Sequence, residues 1–396
     1  MYGLQIEQSQ AASNQRRLGR SALAQPFELI IEFLSRLGWH TAHYSDRERQ
    51  SDLASVALVS RPCMFYYSTH PAFLHAAQYL LYSSPSLTIR NSGRSASLAS
   101  TVSSKPELAS LITSLVAFSD KDVGHPASVT TILNACLNVS SLSLGVAIFN
   151  NSAASDALKL AALQKNLTSF TWVGIDLCPV ADLLAAWTNL QDLSVTVETS
   201  KGLEIILIPR YHLQRLSVSG RPTHGMLVLG GDYLVHLLGS TRPGTLRVLE
   251  LHHICFESSD DTTSAVLNPY LPFVRSLTMR HLVPNPLLDW LCVCEPHTSL
   301  RRLVYSPTAG TTLETFGNPL PIPKSLRLIH VTGRTTYLEM GLIPTLQSLG
   351  VEDHALRLIE LRGPFASDPR LAVLRTVCTV QGIELQVRRE FSGVSD

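Results

Sequence analysis

Cys292-Val-Cys294 followed by His297 is the densest cluster of zinc-type ligands in the chain. A structural zinc site usually joins two ligand pairs at fixed spacing, and no second pair stands at a matching distance. Trp290, Leu291 and Val293 surround the cysteines with apolar side chains, so the cluster reads as a buried helix end. His252-His253 is the other candidate. His252 and Glu250 lie two residues apart, on one side of an extended strand. Imidazole beside carboxylate is able to move a proton or hold a metal, but the outward placement reads as a pair on a binding face. Leu227-Val-Leu-Gly-Gly231 carries too few glycines in register to cradle a phosphate. Gly-x-Ser-x-Gly, P-loop and His-Glu-x-x-His motifs are absent. The expectation is a chain with no catalytic residues, no metal and no cofactor.

What positions these residues is a repeat. Leu190-Gln-Asp-Leu193-Ser-Val195 recurs as Leu213-Gln-Arg-Leu216-Ser-Val218 and Leu246-Arg-Val-Leu249-Glu-Leu251. The same form starts at Val139, Leu167, Val274, Leu300, Leu326 and Leu356. This is the L-x-x-L-x-L signature of a leucine-rich repeat, with irregular connecting arcs and a period of roughly 20–30 residues. Alternate residues of a strand face opposite sides. The apolar residues at i+3 and i+5 therefore point inward, and the residue at i tucks in where the chain enters the strand. One unit alone cannot bury its apolar side; stacked neighbours make a continuous core. Strands stack about 4.8 Å apart and helices about 8–10 Å apart. The expected fold is thus an α/β solenoid: a curved parallel sheet on the concave side, with helices on the convex side.

Helical return segments are expected at Ser155–Leu163, Ala181–Trp187, Tyr233–Leu238, Thr335–Leu342 and Asp368–Val377. Ser86–Arg90 and Ile112–Phe118 read as the first strands of the array. Ser95–Leu108 reads as a helix kinked at Pro106, and Gly382–Arg388 as a final edge strand.

The outward positions i+2, i+4 and i+6 carry the candidate partner contacts. They are small and hydroxylic in the earlier units, then charged: Glu250, His252, Arg280, Arg302, His330, Glu360 and Arg362. A second column lies at i+1, where Arg247, Arg275, Arg301, Arg327 and Arg357 occupy one register in successive units. Arg275 and Arg301 are its central members. The column reads either as an edge neutralised by nearby carboxylates or as a basic rim that steers an acidic partner.

The chain is 45% hydrophobic and 16% charged, too apolar for a disordered chain. A net charge of +1 gives no global attraction to nucleic acid or an acidic membrane. Met1–Arg20 has no apolar signal region, no stretch matches a membrane span, and the cysteines sit mostly in apolar segments. A cytoplasmic or nuclear protein, not secreted, is expected.

Residues 1–24 are polar and read as a disordered tail; residues 82–396 are the repeat domain. Residues 25–81 differ from both. Pro26 suits a first helical turn, with Phe27, Ile30, Ile31 and Leu34 on one helical side. Asp52–Ser60 and Pro71–Leu81 read as two further helices. Gln25-Pro-Phe-Glu-Leu-Ile-Ile31, then Leu53, Val56, Leu58, Val59, Ser60 and Arg61, resemble an F-box. Gln25 stands where that family has Leu, and Cys63–Met64 where it usually has Trp; the insertion 38–50 is longer. With repeats following, the chain resembles the F-box/leucine-rich-repeat proteins, the divergent fungal ones in particular. The resemblance implies a substrate-recognition subunit of a cullin-RING (SCF-type) ubiquitin ligase. Pro26, Leu29, Ile30, Leu58 and Val59 would bind the adaptor, and the repeats an unnamed substrate protein. The other reading is a protein-binding scaffold with no ligase role, in which residues 25–81 only cap the open end of the solenoid core.

Overall fold

The computed structural model describes residues 86–88, 92–118, 126–145, 166–180, 184, 186–200, 212–221, 227–229, 234, 237–238, 241–256, 267–283, 299–306, 322–332, 342–350 and 354–388. All belong to the second of the chain's two units, Tyr82–Asp396. The tail 1–24, the helical region 25–81 with Pro26, Leu29, Ile30, Leu58 and Val59, and the Cys292/Cys294/His297 cluster lie outside the described residues.

Thirteen strands form one sheet. They are β1 (Ser86–Thr88), β2 (Ser114–Phe118), β3 (Ser141–Gly145), β4 (Ser169–Gly174), β5 (Asp192–Val197), β6 (Arg215–Gly220), β7 (Leu227–Leu229), β8 (Val248–Phe256), β9 (Ser276–Val283), β10 (Arg302–Ser306), β11 (Leu328–Thr332), β12 (Leu358–Arg362) and β13 (Glu384–Arg388). Each pairs with its chain neighbours in parallel, except that β6 pairs with β8 and β7 sits to one side on β8. The architecture is that of a leucine-rich-repeat solenoid.

The repeat's apolar residues explain the register. Phe170, Leu193, Leu216, Leu249, Leu277, Leu303, Ile329 and Ile359 stand directly beside one another on successive strands. All are 1% exposed or less. The leading residues of the units, from Val139 to Leu356, are buried too. A one-residue slip would turn the whole row to the other face.

Helices close the other side of this core. They are α1 (Ser92–Ser104), α2 (Pro106–Ala109), α3 (Pro126–Ala135), α4 (Ile343–Ser348) and α5 (Arg370–Val380). The expected kink is a break: α1 ends before Pro106, which cannot donate a backbone hydrogen bond. Val129, Ile132, Leu133 and Cys136 recur at helical spacing and are all buried, as are Leu371, Leu374 and Cys378. Burial raises the thiols of Cys136 and Cys378 to pKa values of about 11, so both stay protonated at neutral pH. Helix α5 starts later than the expected Asp368. The Asp368 carboxylate instead accepts from the Arg370 backbone N–H at 2.9 Å and satisfies the helix start. Leu184, Leu234, Leu237 and Leu238 fall in two expected return segments, are helical and are buried. Ser155–Leu163 and residues 335–341 lie outside the described ones. Among the described residues, no helix is long and apolar enough to cross a membrane.

One part of the sheet departs from the repeat. In β8, Leu249 and Leu251 are buried, then the phase slips by one so that Ile254 and Phe256 are buried. The slip occurs at His253, a non-glycine residue at φ 53°. In β9 His281 does the same at φ 54°. Pairing runs His252 to Arg280 and resumes at Ile254 to Leu282. The two imidazoles stack, with ring centroids 4.5 Å apart. A left-handed backbone costs roughly 1–2 kcal/mol at each such residue. The slip offsets this by keeping Ile254, Phe256 and Leu282 in the core. Strand β6 stops at this corner, and β7 takes over the pairing with Leu227 beside Ile254. Leu227-Val-Leu, weighed above only as a phosphate loop, is therefore a strand. Gly220 sits at the stop, where a Cβ would collide with the His253 carbonyl and with Leu227.

Two outcomes are expected in denaturant titrations. Leu216→Ala costs about 2–5 kcal/mol, while the outward Ser194→Ala changes stability by no more than about 0.5 kcal/mol. Equal costs would mean the register is wrong. Gly220→Ala costs about 1–3 kcal/mol, because backbone and not a flexible side chain must move aside.

Candidate functional site

The outward positions form rows across the strands. One row runs through Ser194, Ser217, Glu250, Thr278, Val304, His330, Glu360 and Gln386 in consecutive registers. A second runs through Asp192, Arg215, Val248, Ser276, Arg302, Leu328, Leu358 and Glu384. The third includes Ser219, His252, Arg280 and Ser306, and further on Thr332, Arg362 and Arg388. All the outward candidates read from the repeat thus share one face. Ser217, Thr278, Val304 and Ser306 also belong to it but are buried.

Two charged groups are prearranged on this face. Arg215 donates from Nη2 to both oxygens of Glu250, at 2.8 and 3.0 Å. Glu360 is shared: His330 Nδ1 lies 3.3 Å from one oxygen and Arg388 Nη2 3.2 Å from the other. At the ends of β5 and β6, Arg221 pairs with Glu198 at 2.6 Å. Exposed pairs of this kind stabilise the fold little; their effect is to fix where charge is displayed.

His252, His281 and His330 are all held below the ordinary histidine range. Burial, then the positive charge of Arg280, lowers the His252 pKa to about 4, outweighing the opposing charge of Glu250. Burial and then Arg280 also lower His281. Burial lowers His330 against the pull of Glu360, with Arg280, Arg362 and Arg302 adding to the lowering. The Glu360 carboxylate beside His330 Nδ1 offsets part of that lowering. The Glu250 carboxylate near His252 is engaged by Arg215. Among the described residues, no three His, Cys, Asp or Glu side chains converge as metal ligands.

Arg275 and Arg301 lie apart from these rows, at the N-terminal edge of the strands. Here the backbone forms a ladder. The Arg247 carbonyl accepts from the N–H groups of Arg275 and Ser276, at 2.7 and 3.1 Å. The Arg275 carbonyl accepts from Arg301 and Arg302, Arg301 from Arg327 and Leu328, and Arg327 from Arg357 and Leu358. The ladder extends upstream through Thr113, Ser140, Thr168, Gln191 and Gln214. There the side chains bond along the stack as well: Ser140 Oγ donates to the Thr113 carbonyl at 3.2 Å and Thr168 Oγ1 to the Ser140 carbonyl at 3.1 Å. Reading the arginines alone misses this upstream half, although the same i+1 position marks it. Arg247 is half-buried and donates to the Phe273 carbonyl at 3.2 Å. Arg275, Arg301, Arg327 and Arg357 are exposed. Among the described residues no carboxylate pairs with them.

No protein-family model matches this chain, and no curated protein matches it. Solved structures similar to it include the leucine-rich repeat-containing protein LegL7 from Legionella pneumophila, at TM-score 0.41 and 16% identity over 75% of this chain and 98% of that one. The yeast Rad7 and Elc1 complex is matched at TM-score 0.33 and 15% identity, over 83% of this chain and 96% of that one.

Acid should destabilise this face. Between pH 6.5 and about 4 the unfolded chain protonates His252 while the folded chain does not, so stability falls as pH falls through that window. Urea titrations at pH 7 and pH 5 are expected to differ by about 1–2 kcal/mol on account of His252 alone. His252→Gln should remove that share of the difference. An unchanged difference in the variant would assign the acid sensitivity to other groups.

Proposed function

We propose that the chain is a non-catalytic recognition subunit. Its outward sheet face and arginine column hold a substrate protein, and its F-box-like region joins the adaptor of a cullin-RING ubiquitin ligase in the cytoplasm or nucleus. The observation that supports recognition is the preformed display. Arg215–Glu250 and His330–Glu360–Arg388 are fixed on strands paired on both sides or anchored at the stack's end. Groups already ordered lose little freedom when a partner arrives. The adaptor reading rests on Pro26, Glu28, Leu29, Ile30 and Ile31, with Leu58, Val59 and Arg61 after them. Gln25 and Cys63–Met64, which replace the family's Leu and Trp, favour the second reading, a scaffold that meets no adaptor.

A pull-down from cell extract separates the two readings. The ligase reading expects adaptor and cullin to co-purify with the wild-type chain and to be lost with Ile30→Asp, which would bury an unpaired charge in an apolar contact. The repeat domain should stay folded in that variant, because its contacts are nearest-neighbour only. A wild-type chain that brings down neither adaptor nor cullin is a scaffold. For the arginine column, reversing Arg275 and Arg301 to Glu should slow association with the captured substrate about tenfold or more at low salt, and little at high salt. Unchanged low-salt association would remove the column from the interface.

A further inference from the structure

Strand β13 ends the sheet: it pairs with β12 and, among the described residues, with no other strand. A strand residue sends its N–H and C=O to the same side, and that side alternates along the strand. The Glu384 N–H donates to the Arg357 carbonyl at 2.9 Å, and the Arg388 carbonyl accepts from the Gly363 N–H at 3.3 Å. Glu384, Gln386 and Arg388 therefore turn their backbone groups toward β12. Leu385 and Val387 turn theirs to the open edge, which offers donors and acceptors to a further strand.

The core is open at the same place. Leu385 stands beside Ile359, and Val387 beside Leu361. Ile359 and Leu361 are wholly buried, whereas Leu385 and Val387 are half-buried. Val380, at the end of the helix α5 that leads into β13, is 68% exposed. In a stacked array each apolar layer is covered by the next, and the last one needs a cover of its own.

We propose that this cover is a second copy of the chain, its β13 laid antiparallel against the first. Charges on an edge strand normally keep other strands away, but here they match one arrangement. Glu384 and Arg388 lie at equal distances on either side of Gln386, all on the outward face. With the twofold axis through Gln386, each chain's Glu384 stands opposite the other chain's Arg388. Leu385 stands opposite Val387 in the same way, next to the core. Both of these residues turn their backbone to the edge, so they form hydrogen-bonded pairs that exchange N–H and C=O. The charged pairs fall at the non-bonded positions, where opposed side chains come closest. Moving the axis to Leu385 sets Glu384 against Gln386, and moving it to Val387 sets Arg388 against Gln386; both lose the match. Existing contacts leave room for the pairing. Glu384 Oε1 accepts from Gln386 Nε2 at 2.7 Å, and Glu384 stays exposed. Arg388 Nη2 lies 3.2 Å from Glu360, yet its side chain is 61% exposed.

The test is sedimentation velocity of the full chain between about 1 and about 100 μM, where a monomer–dimer equilibrium is expected. Glu384→Arg and Arg388→Glu each set like charges opposite one another at both ends of the strand pair, and each should weaken the dimer about tenfold or more. An equal mixture of the two variants should restore dimers, because each chain then supplies the charge that the other lacks. Val387→Pro removes an edge N–H that β12 does not use and should also weaken the dimer. Lys105→Glu, an exposed site far along the stack, should change nothing. Circular dichroism checks that the variants are folded. Hydrogen exchange of residues 383–388 should slow as the chain concentration rises. A chain that stays monomeric over the whole range overturns the proposal, whether residues 389–396 or a different protein covers the edge. So does a dimer that neither charge variant weakens, or a mixture of the two variants that restores nothing. Neither adaptor nor substrate protein enters the measurement, so its failure leaves the pull-down result intact.

Discussion

Each coil is tied to the one before it by a single recurring bond pattern. The carbonyl at the second position of a unit accepts two backbone N–H groups from the next coil, from Thr113 through Arg327. A backbone hydrogen bond contributes modestly in net terms, but leaving its groups unmade in a folded stack is expensive. The ladder therefore sets the register of each strand as it enters the sheet, and the apolar residues at the fourth and sixth positions follow into the core. Side chains at the second position are released from that duty. The same backbone carries Thr, Ser and Gln early in the stack and Arg later. Surface chemistry varies along this edge while the coupling between coils stays constant.

The face depends on the ladder in turn. Glu250 and Arg215 are far apart in the chain and meet only because Ser217 stands beside Glu250. His330 and Glu360 meet because they are direct neighbours in register. Shifting one strand of either pair by a residue would separate that pair and turn the strand's own side chains to the other face.

The strands and their inward residues were legible because the period-two pattern is written in residue types: Leu193 and Val195, or Leu249 and Leu251, need no knowledge of their neighbours. The outward face was legible for the same reason. The pairs on it were not. Connecting arcs of unequal length hide which residues of two coils stand side by side, so Arg215 reaching Glu250, or His330 meeting Glu360, emerges only from the register. The corner was illegible for a different reason. His253 and His281 adopt a backbone conformation that residue type alone assigns to glycine or asparagine, and β7 is too short to stand out against the apolar runs around it. The start of α5 was misjudged because Asp368 lends its side chain to the helix without joining it.

The corner has an implication for how such an array is able to change over generations. His253 and His281 show that an irregular coil is accommodated when the adjacent coil repeats the irregularity, so that pairing on the two sides of the slip stays in step. On one side the deviation is absorbed by ending β6 at Gly220 and starting β7 afresh. An aberration in a stacked array thus behaves like a dislocation in a crystal, with a definite beginning and a copied interior. Duplicating or deleting β8 and β9 as a pair would preserve the fault's boundaries, whereas removing either coil alone would leave a mismatched step inside the sheet.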